Sequence, residues 1–254
     1  MTGALHAQVA AVTLPVLSRT NGERHDGFLR KSGTLRLLRE CPVFQGLDDS
    51  RLEDLAARSH VQQVGRRVTL SDAGTKGPGL GIVRSGALKV CSQPRDSREL
   101  ILALLEPGEF FGEFSALPIP PGGVRVVSLR LSEILMVPAD VLHELVLQDA
   151  GVRLACLRSA AQRLRQAQDA LQRLAHENVH GRIEATLRQL ADEYGEPREG
   201  GVLIRRRPSQ QLLAGLSGTT RETVSRVLRD LESQGTIRCD GRKVLLCAES
   251  GDVR

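Results

Sequence analysis

The chain has 254 residues, 41% of them hydrophobic, which is enough for two separate cores. No apolar run approaches the roughly 18 residues that a membrane-spanning helix needs, so the sequence excludes a helical membrane protein and predicts no membrane partner. Its 35 Lys and Arg exceed its 30 Asp and Glu by five, and the excess is local: residues 205–243 hold nine basic and four acidic side chains, leaving 26 of each elsewhere. A neutral body with one positive patch is the footprint of a phosphate-binding module.

Residues 1–33 contain a mildly apolar run from Leu5 to Leu17 with no basic segment ahead of it, which argues against a secretory signal and predicts a flexible extension. From Val61 to Val137 short apolar runs alternate with glycine-bearing turns, as in Arg66-Arg-Val-Thr-Leu, Leu80-Gly-Ile-Val, Ala87-Leu-Lys-Val and the stretches 99–105 and 126–131. Brief strands at near-regular spacing predict a small barrel or jelly roll, with Gly65, Gly74, Gly86, Gly108 and Gly112 at its corners. The acidic pairs Asp48-Asp49, Glu53-Asp54 and Asp192-Glu193 fall at helix starts or on exposed helix faces, where capping and solvation explain them. There is no P-loop, no Gly-x-Ser-x-Gly and no His-Glu-x-x-His, so the sequence predicts no enzyme. Cys41, Cys91, Cys156, Cys239 and Cys247 form no C-x-x-C pair, so no metal site is expected.

The next segment predicts how the protein assembles. Leu157, Leu164 and Leu171 fall seven apart, with Ala160, Ala167 and Leu174 three after each, the a/d seam of a parallel dimer helix. Three heptads span about 30 Å at roughly 1.5 Å per residue. The stretch from Val152 to Leu157 is expected to pack on its own barrel instead. Asn178 is read as the cap of a helix from Val179 to about Glu193, which makes residues 176–180 a hinge.

Beyond the hinge the sequence reads as two short helices around a tight turn. Ser209 caps the first, Leu212, Leu213 and Leu216 form its buried side, and Gly218 makes the turn. Either Thr219, through a capping box with Glu222, or Thr220 starts the second. Val224, Val227, Leu228 and Leu231 then face inward, leaving Arg221, Glu222, Ser225 and Arg226 on one outward patch. An arginine hydrogen-bonds guanine N7 and O6 and a glutamate accepts from the cytosine amine, which suits the N-terminal end of a helix in the major groove of duplex DNA. Residues 236–246 read as a hairpin on an Asp240-Gly241 turn, so the helix pair carries a wing.

Three separated motifs, Pro107-Gly-Glu-Phe-Phe-Gly-Glu113, Gly181-Arg-Ile-Glu-Ala-Thr-Leu and Arg221-Glu-Thr-Val-Ser-Arg226-Val-Leu, together resemble the CRP/FNR superfamily of bacterial transcription regulators over residues 35–247. The resemblance implies an α+β chain: an effector domain at 34–150 built as a cyclic-nucleotide-binding type of β jelly roll, a dimerisation helix at 151–177, and a winged helix-turn-helix at 178–254. It implies a cytoplasmic homodimer on duplex DNA, touching RNA polymerase if it activates. The matching Arg221, Glu222 and Arg226 imply a TGTGA-like palindrome, with Ser209, Thr219, Thr220 and Ser225 beside them at the DNA.

The same resemblance places an effector pocket at Gly112, Glu113 and Phe114, where responders to cyclic AMP hold the ribose. Their phosphate-clamping Arg-Ser/Thr pair falls here on Gly122 and Gly123, with Arg125 just beyond, and their adenine-facing Thr-Ser pair falls on Ala167 and Gln168. Losing an arginine that clamps an anionic phosphate argues against cyclic AMP. Another nucleotide, or haem through Cys91, His60 or His143, stays open, as does a ligand-independent DNA binder.

Overall fold

Helices α1 (Asp26–Glu40) and α2 (Asp49–Arg58) precede the first strand in the computed structural model, which describes residues 26–248 except 73, 75–76, 93–98, 116 and 118–122. α1 takes in residues 26–33, the end of the expected extension, because its C-terminal half is anchored: Leu38 is buried and Leu35 and Leu37 pack beside it. Residues 1–25 lie outside the described residues. α2 starts where the Asp48 carboxylate accepts the Arg51 amide at 2.9 Å.

Eight strands follow: β1 (His60–Val64), β2 (Thr69–Ser71), β3 (Gly79–Ser85), β4 (Leu88–Ser92), β5 (Ile101–Leu105), β6 (Phe110–Phe111), β7 (Val124–Ser128) and β8 (Ser132–Pro138). They form two antiparallel sheets, β1-β8-β3-β6 and β2-β7-β4-β5, facing each other as a jelly roll. Val83, Val90, Val126, Ile134 and Met136 fill the space between them. The alternate residues Leu80, Ile82, Leu135 and Val137 point the other way, onto α1, α2 and α3 (Ala139–Gln148). Residues 79–83 of β3 and 134–137 of β8 are therefore buried on both faces, which suits their unbroken apolar runs where one-sided strands alternate. Of the expected corners, Gly74, Gly86, Gly108 and Gly112 take positive φ and Gly65 does not.

α4 (Ala150–His176) begins where Asp149 accepts the Val152 amide at 2.9 Å and pairs with Arg51. Only its first turns join the barrel core, through Val152 and Cys156. α5 (Val179–Tyr194) starts on Asn178, whose side chain accepts the Gly181 amide at 2.8 Å. The last domain adds β9 (Glu196–Arg198), β10 (Gly201–Ile204), α6 (Gln210–Leu216), α7 (Arg221–Ser233), β11 (Ile237–Asp240) and β12 (Lys243–Cys247). Its sheet runs β11-β12-β10-β9, so the expected two-stranded wing is half of a four-stranded sheet.

The expected burial of α6 needs correction. Leu213 and Ala214 enter the DNA-binding domain's core with Ile183, Leu187, Val224 and Leu228, whereas Leu212 and Leu216 pack on the barrel against Cys91, Ile101 and Val127. Leu212 and Leu216 stand four apart on one stripe, a full side away from the stripe that faces α5 and α7.

Candidate nucleic-acid interface and effector pocket

The helix-turn-helix is set by local chemistry at its turn. Ser209 caps α6 by accepting the Leu212 amide at 3.2 Å. Gly218 turns the chain at φ 60°, a conformation that a side chain makes costly. Thr220, not Thr219, is the cap of α7: its hydroxyl accepts the Thr223 amide at 3.3 Å. The capping box between Thr219 and Glu222 therefore does not form, because Glu222 sits one position too early for it.

Val224, Val227, Leu228 and Leu231 are buried, while Arg221, Glu222 and Arg226 are exposed and Ser225 is half-buried. The Glu222 carboxyl is held below the usual range by its own backbone amide and by the Thr220 hydroxyl, so it presents a carboxylate at neutral pH. At the end of the wing the Arg207 amide donates to the Arg242 carbonyl at 2.8 Å, which brings the 205–207 run and the 241–243 turn together at one end of the sheet. Arg206, Arg242 and Lys243 are exposed there, while Arg205 is committed to Glu196.

The effector pocket looks different from the sequence expectation. Glu113 is 1% exposed, and its carboxylate is already engaged: Ser159 Oγ donates to Oε1 at 2.7 Å, Arg163 Nε donates to the same oxygen, and Arg163 Nη2 donates to Oε2 at 3.3 Å. Arg163 Nη2 also reaches the Phe110 carbonyl at 3.1 Å, and the guanidinium carbon lies 6.0 Å from the Phe110 ring centre. Ser159 and Arg163 were not foreseen. Their signal is the stripe Val152, Cys156, Ser159, Arg163, which follows one face of α4 and turns from apolar to polar where the barrel wall presents its carboxylate.

Gly112 is obligatory beside Glu113, since at φ 82° a Cβ would stand 2.1 Å from the Gly79 carbonyl oxygen. Phe114 is half-buried, and Ala167 and Gln168 are exposed on α4. Gly123 is exposed with nothing within 4 Å of where a Cβ would be, and Gly122 lies outside the described residues. Arg125 is a correction. It shares a face of β7 with Val127, away from the barrel interior that Val126 enters; its Nε lies 2.8 Å from Asp72 Oδ1 and its Nη2 donates to Thr69 Oγ1 at 3.0 Å. Strand alternation turns it out of the pocket.

Along the seam, Leu157, Leu164 and Leu171 are 66%, 60% and 65% exposed within one chain, far from the burial such side chains normally reach. Ala160 is half-buried and Ala167 exposed. Leu174, at 37%, leans toward the turn of the helix-turn-helix, 3.0 Å from where a Cβ on Gly218 would sit. For the haem alternative, Cys91 is fully buried beneath α6 and its thiol is pushed up to about 12 by that burial, while His60 and His143 are exposed on β1 and α3. No helix among the described residues is long and apolar enough to cross a membrane.

Comparison with known proteins matches both halves. The cyclic nucleotide-binding domain family matches residues 61–149 and the Crp-like helix-turn-helix domain family matches residues 181–250. The cyclic AMP receptor protein of Thermus thermophilus is 31% identical over 204 residues, covering 79% of this chain and 90% of that one. The CRP-like cAMP-activated global transcriptional regulator of Mycobacterium tuberculosis is 29% identical over 210 residues, covering 83% and 94%. Among solved structures, the c-di-GMP-responsive global regulator CLP of Xanthomonas campestris superposes with a TM-score of 0.68 at 27% identity, over 80% of this chain and all of that one. Jelly roll, long helix and capped helix-turn-helix thus occur in the order and at the positions of these regulators, and the chain belongs to the CRP/FNR family of DNA-binding transcription regulators.

Proposed function

We propose that this regulator acts in the cytoplasm as a homodimer on a TGTGA-like palindrome, and that its nucleotide pocket is degenerate. The observation that carries the DNA reading is the exposure of Arg221, Glu222 and Arg226 on the first two turns of α7, with the helix start fixed by Thr220. These donors and acceptors suit the edges of G·C pairs in a major groove. Leucines exposed at heptad spacing on α4 support a two-fold partner, which would place two copies of α7 one DNA turn apart.

The pocket reading rests on Glu113. The carboxylate that would hold a ribose already accepts from Ser159 and Arg163 of the same chain, so a sugar hydroxyl competes there with charge-assisted donors. Gly123 supplies no side chain for a cyclic phosphate, and Arg125 is turned toward Asp72. Binding-site selection with the purified protein, with and without cyclic AMP and cyclic di-GMP, tests both parts. The expected outcome is an inverted repeat recovered equally in all three conditions; a motif without two-fold symmetry, or one recovered only with a nucleotide, overturns the corresponding part.

A further inference from the structure

Gly215 lies in the last turn of α6, next to its final residue, where alanine is still the better helix former, and it is buried. The reason lies outside its own domain: a Cβ there would stand 2.6 Å from Ile101 Cδ1 and 2.8 Å from Ile101 Cγ1 on β5. On either side of it Leu212 and Leu216 cover Cys91, Ile101 and Val127, the outer face of the β2-β7-β4-β5 sheet. One turn further, Gly218 would place a Cβ 3.0 Å from Leu174 Cδ2 at the end of α4 and 3.5 Å from Leu100 Cδ1. α5 closes the remaining side, where Arg182 Nε donates to the Ser217 carbonyl at 3.0 Å and Arg182 Nη1 to the Glu177 carbonyl at 2.7 Å across the hinge.

The helix-turn-helix is thus held between the barrel sheet, the end of the long helix and the hinge. The side of α6 used for this is not the side that carries α7, and Arg221, Glu222 and Arg226 remain exposed. A contact that silenced DNA binding by burial would cover those side chains.

We propose that the Gly215–Ile101 joint is an interdomain latch: close packing of α6 on the barrel sheet fixes the angle of α7 and holds it in its DNA-competent orientation. The side chains packed across it, Leu212 and Leu216 on one side and Ile101, Val127 and Cys91 on the other, are apolar. Its orienting role rests on α7 being the DNA-reading helix; its existence as a joint does not.

Gly215→Ala tests it, since the added methyl meets Ile101 Cδ1 and Cγ1 and comes within 3.3 Å of the Glu99 carbonyl oxygen, all on the barrel side of the joint. Two readouts are taken on the full-length protein: alkylation of Cys91 by iodoacetamide, followed by peptide mass spectrometry, and affinity for the selected operator. The expected result is Cys91 alkylation about tenfold faster and operator binding about tenfold weaker, within the span of ordinary coupling between sites, with helical content unchanged. Adding Ile101→Val, which removes the nearer carbon, Cδ1, and keeps the rest of the apolar face beside Cys91, restores both readouts in part. A Gly215→Ala protein with protected Cys91, one that binds the operator as well as or better than the wild type, or a double variant that recovers neither readout overturns the latch. If the wild-type protein binds no duplex at all, the DNA reading fails, and Cys91 alkylation still decides whether the joint exists.

Discussion

Arg221 and Glu222 stand side by side at the start of α7 but offer opposite chemistry, two donors and an acceptor, so they are expected to fail differently. Arg221→Ala should cost about 1 to 3 kcal/mol of operator affinity and relax preference at one base pair, and Glu222→Ala should relax a different one. Binding-site selection with each variant reads this; uniform weakening on all sequences would mean that both side chains only hold phosphates. Arg163 is the other residue whose role is separable. Replacing it with methionine leaves a buried carboxylate with the Ser159 hydroxyl alone. Removing one partner of a fully buried pair costs about 3 to 5 kcal/mol, and because the Arg163 side chain keeps 30% exposure the expected loss is smaller, about 2 kcal/mol. Urea unfolding measures it, and an unchanged midpoint would show that the pair does not hold Glu113.

Among the elements, α4 shows best how a cap carries a pH dependence. The Asp149 carboxyl is held below its ordinary value by the Val152 amide and, after that, by Arg51. A depressed folded-state value means stability that is full above the unfolded value of 3.8 and is lost as pH falls through the folded one. Asp149→Asn keeps the cap but not the charge, so urea midpoints measured from pH 6 downward should fall less steeply for the variant than for the wild type; parallel curves would contradict this. The same helix shows what its sequence could reveal. Heptad spacing made the outward leucines legible, and the Asn178 and Ser209 caps were legible because each sits directly before an apolar-periodic run. What escaped was long-range. β9 and β10 are too short for period-two alternation to register, the partner of Glu113 comes from 50 residues away, and nothing local distinguishes the two stripes of α6 that serve different cores. The outward turn of Arg125 depended on which of two alternating faces β7 gave to the barrel, and only the pairing with β4 decides that.

At the scale of the molecule, a two-fold regulator requires that the seam be covered by a second copy. In the proposed parallel pair, Leu164→Glu would place two like charges at one position, where desolvation and repulsion act together. Sedimentation equilibrium should show the variant as a single chain with its effector domain still folded, because the side chains that seat α4 on the barrel, Val152 and Cys156, lie on another face. A variant that remains paired would place the interface elsewhere.

The apolar cover that α6 lends to the barrel also governs how the protein tolerates being divided. Severing it at residues 176–180 would strip shelter from Ile101, Val127 and Cys91 and leave a greasy stretch of sheet in water. The isolated N-terminal half should therefore be prone to clumping, and a barrel of this kind cannot be traded onto a foreign DNA-binding module unless the newcomer brings matching leucines and a gap the width of a missing methyl.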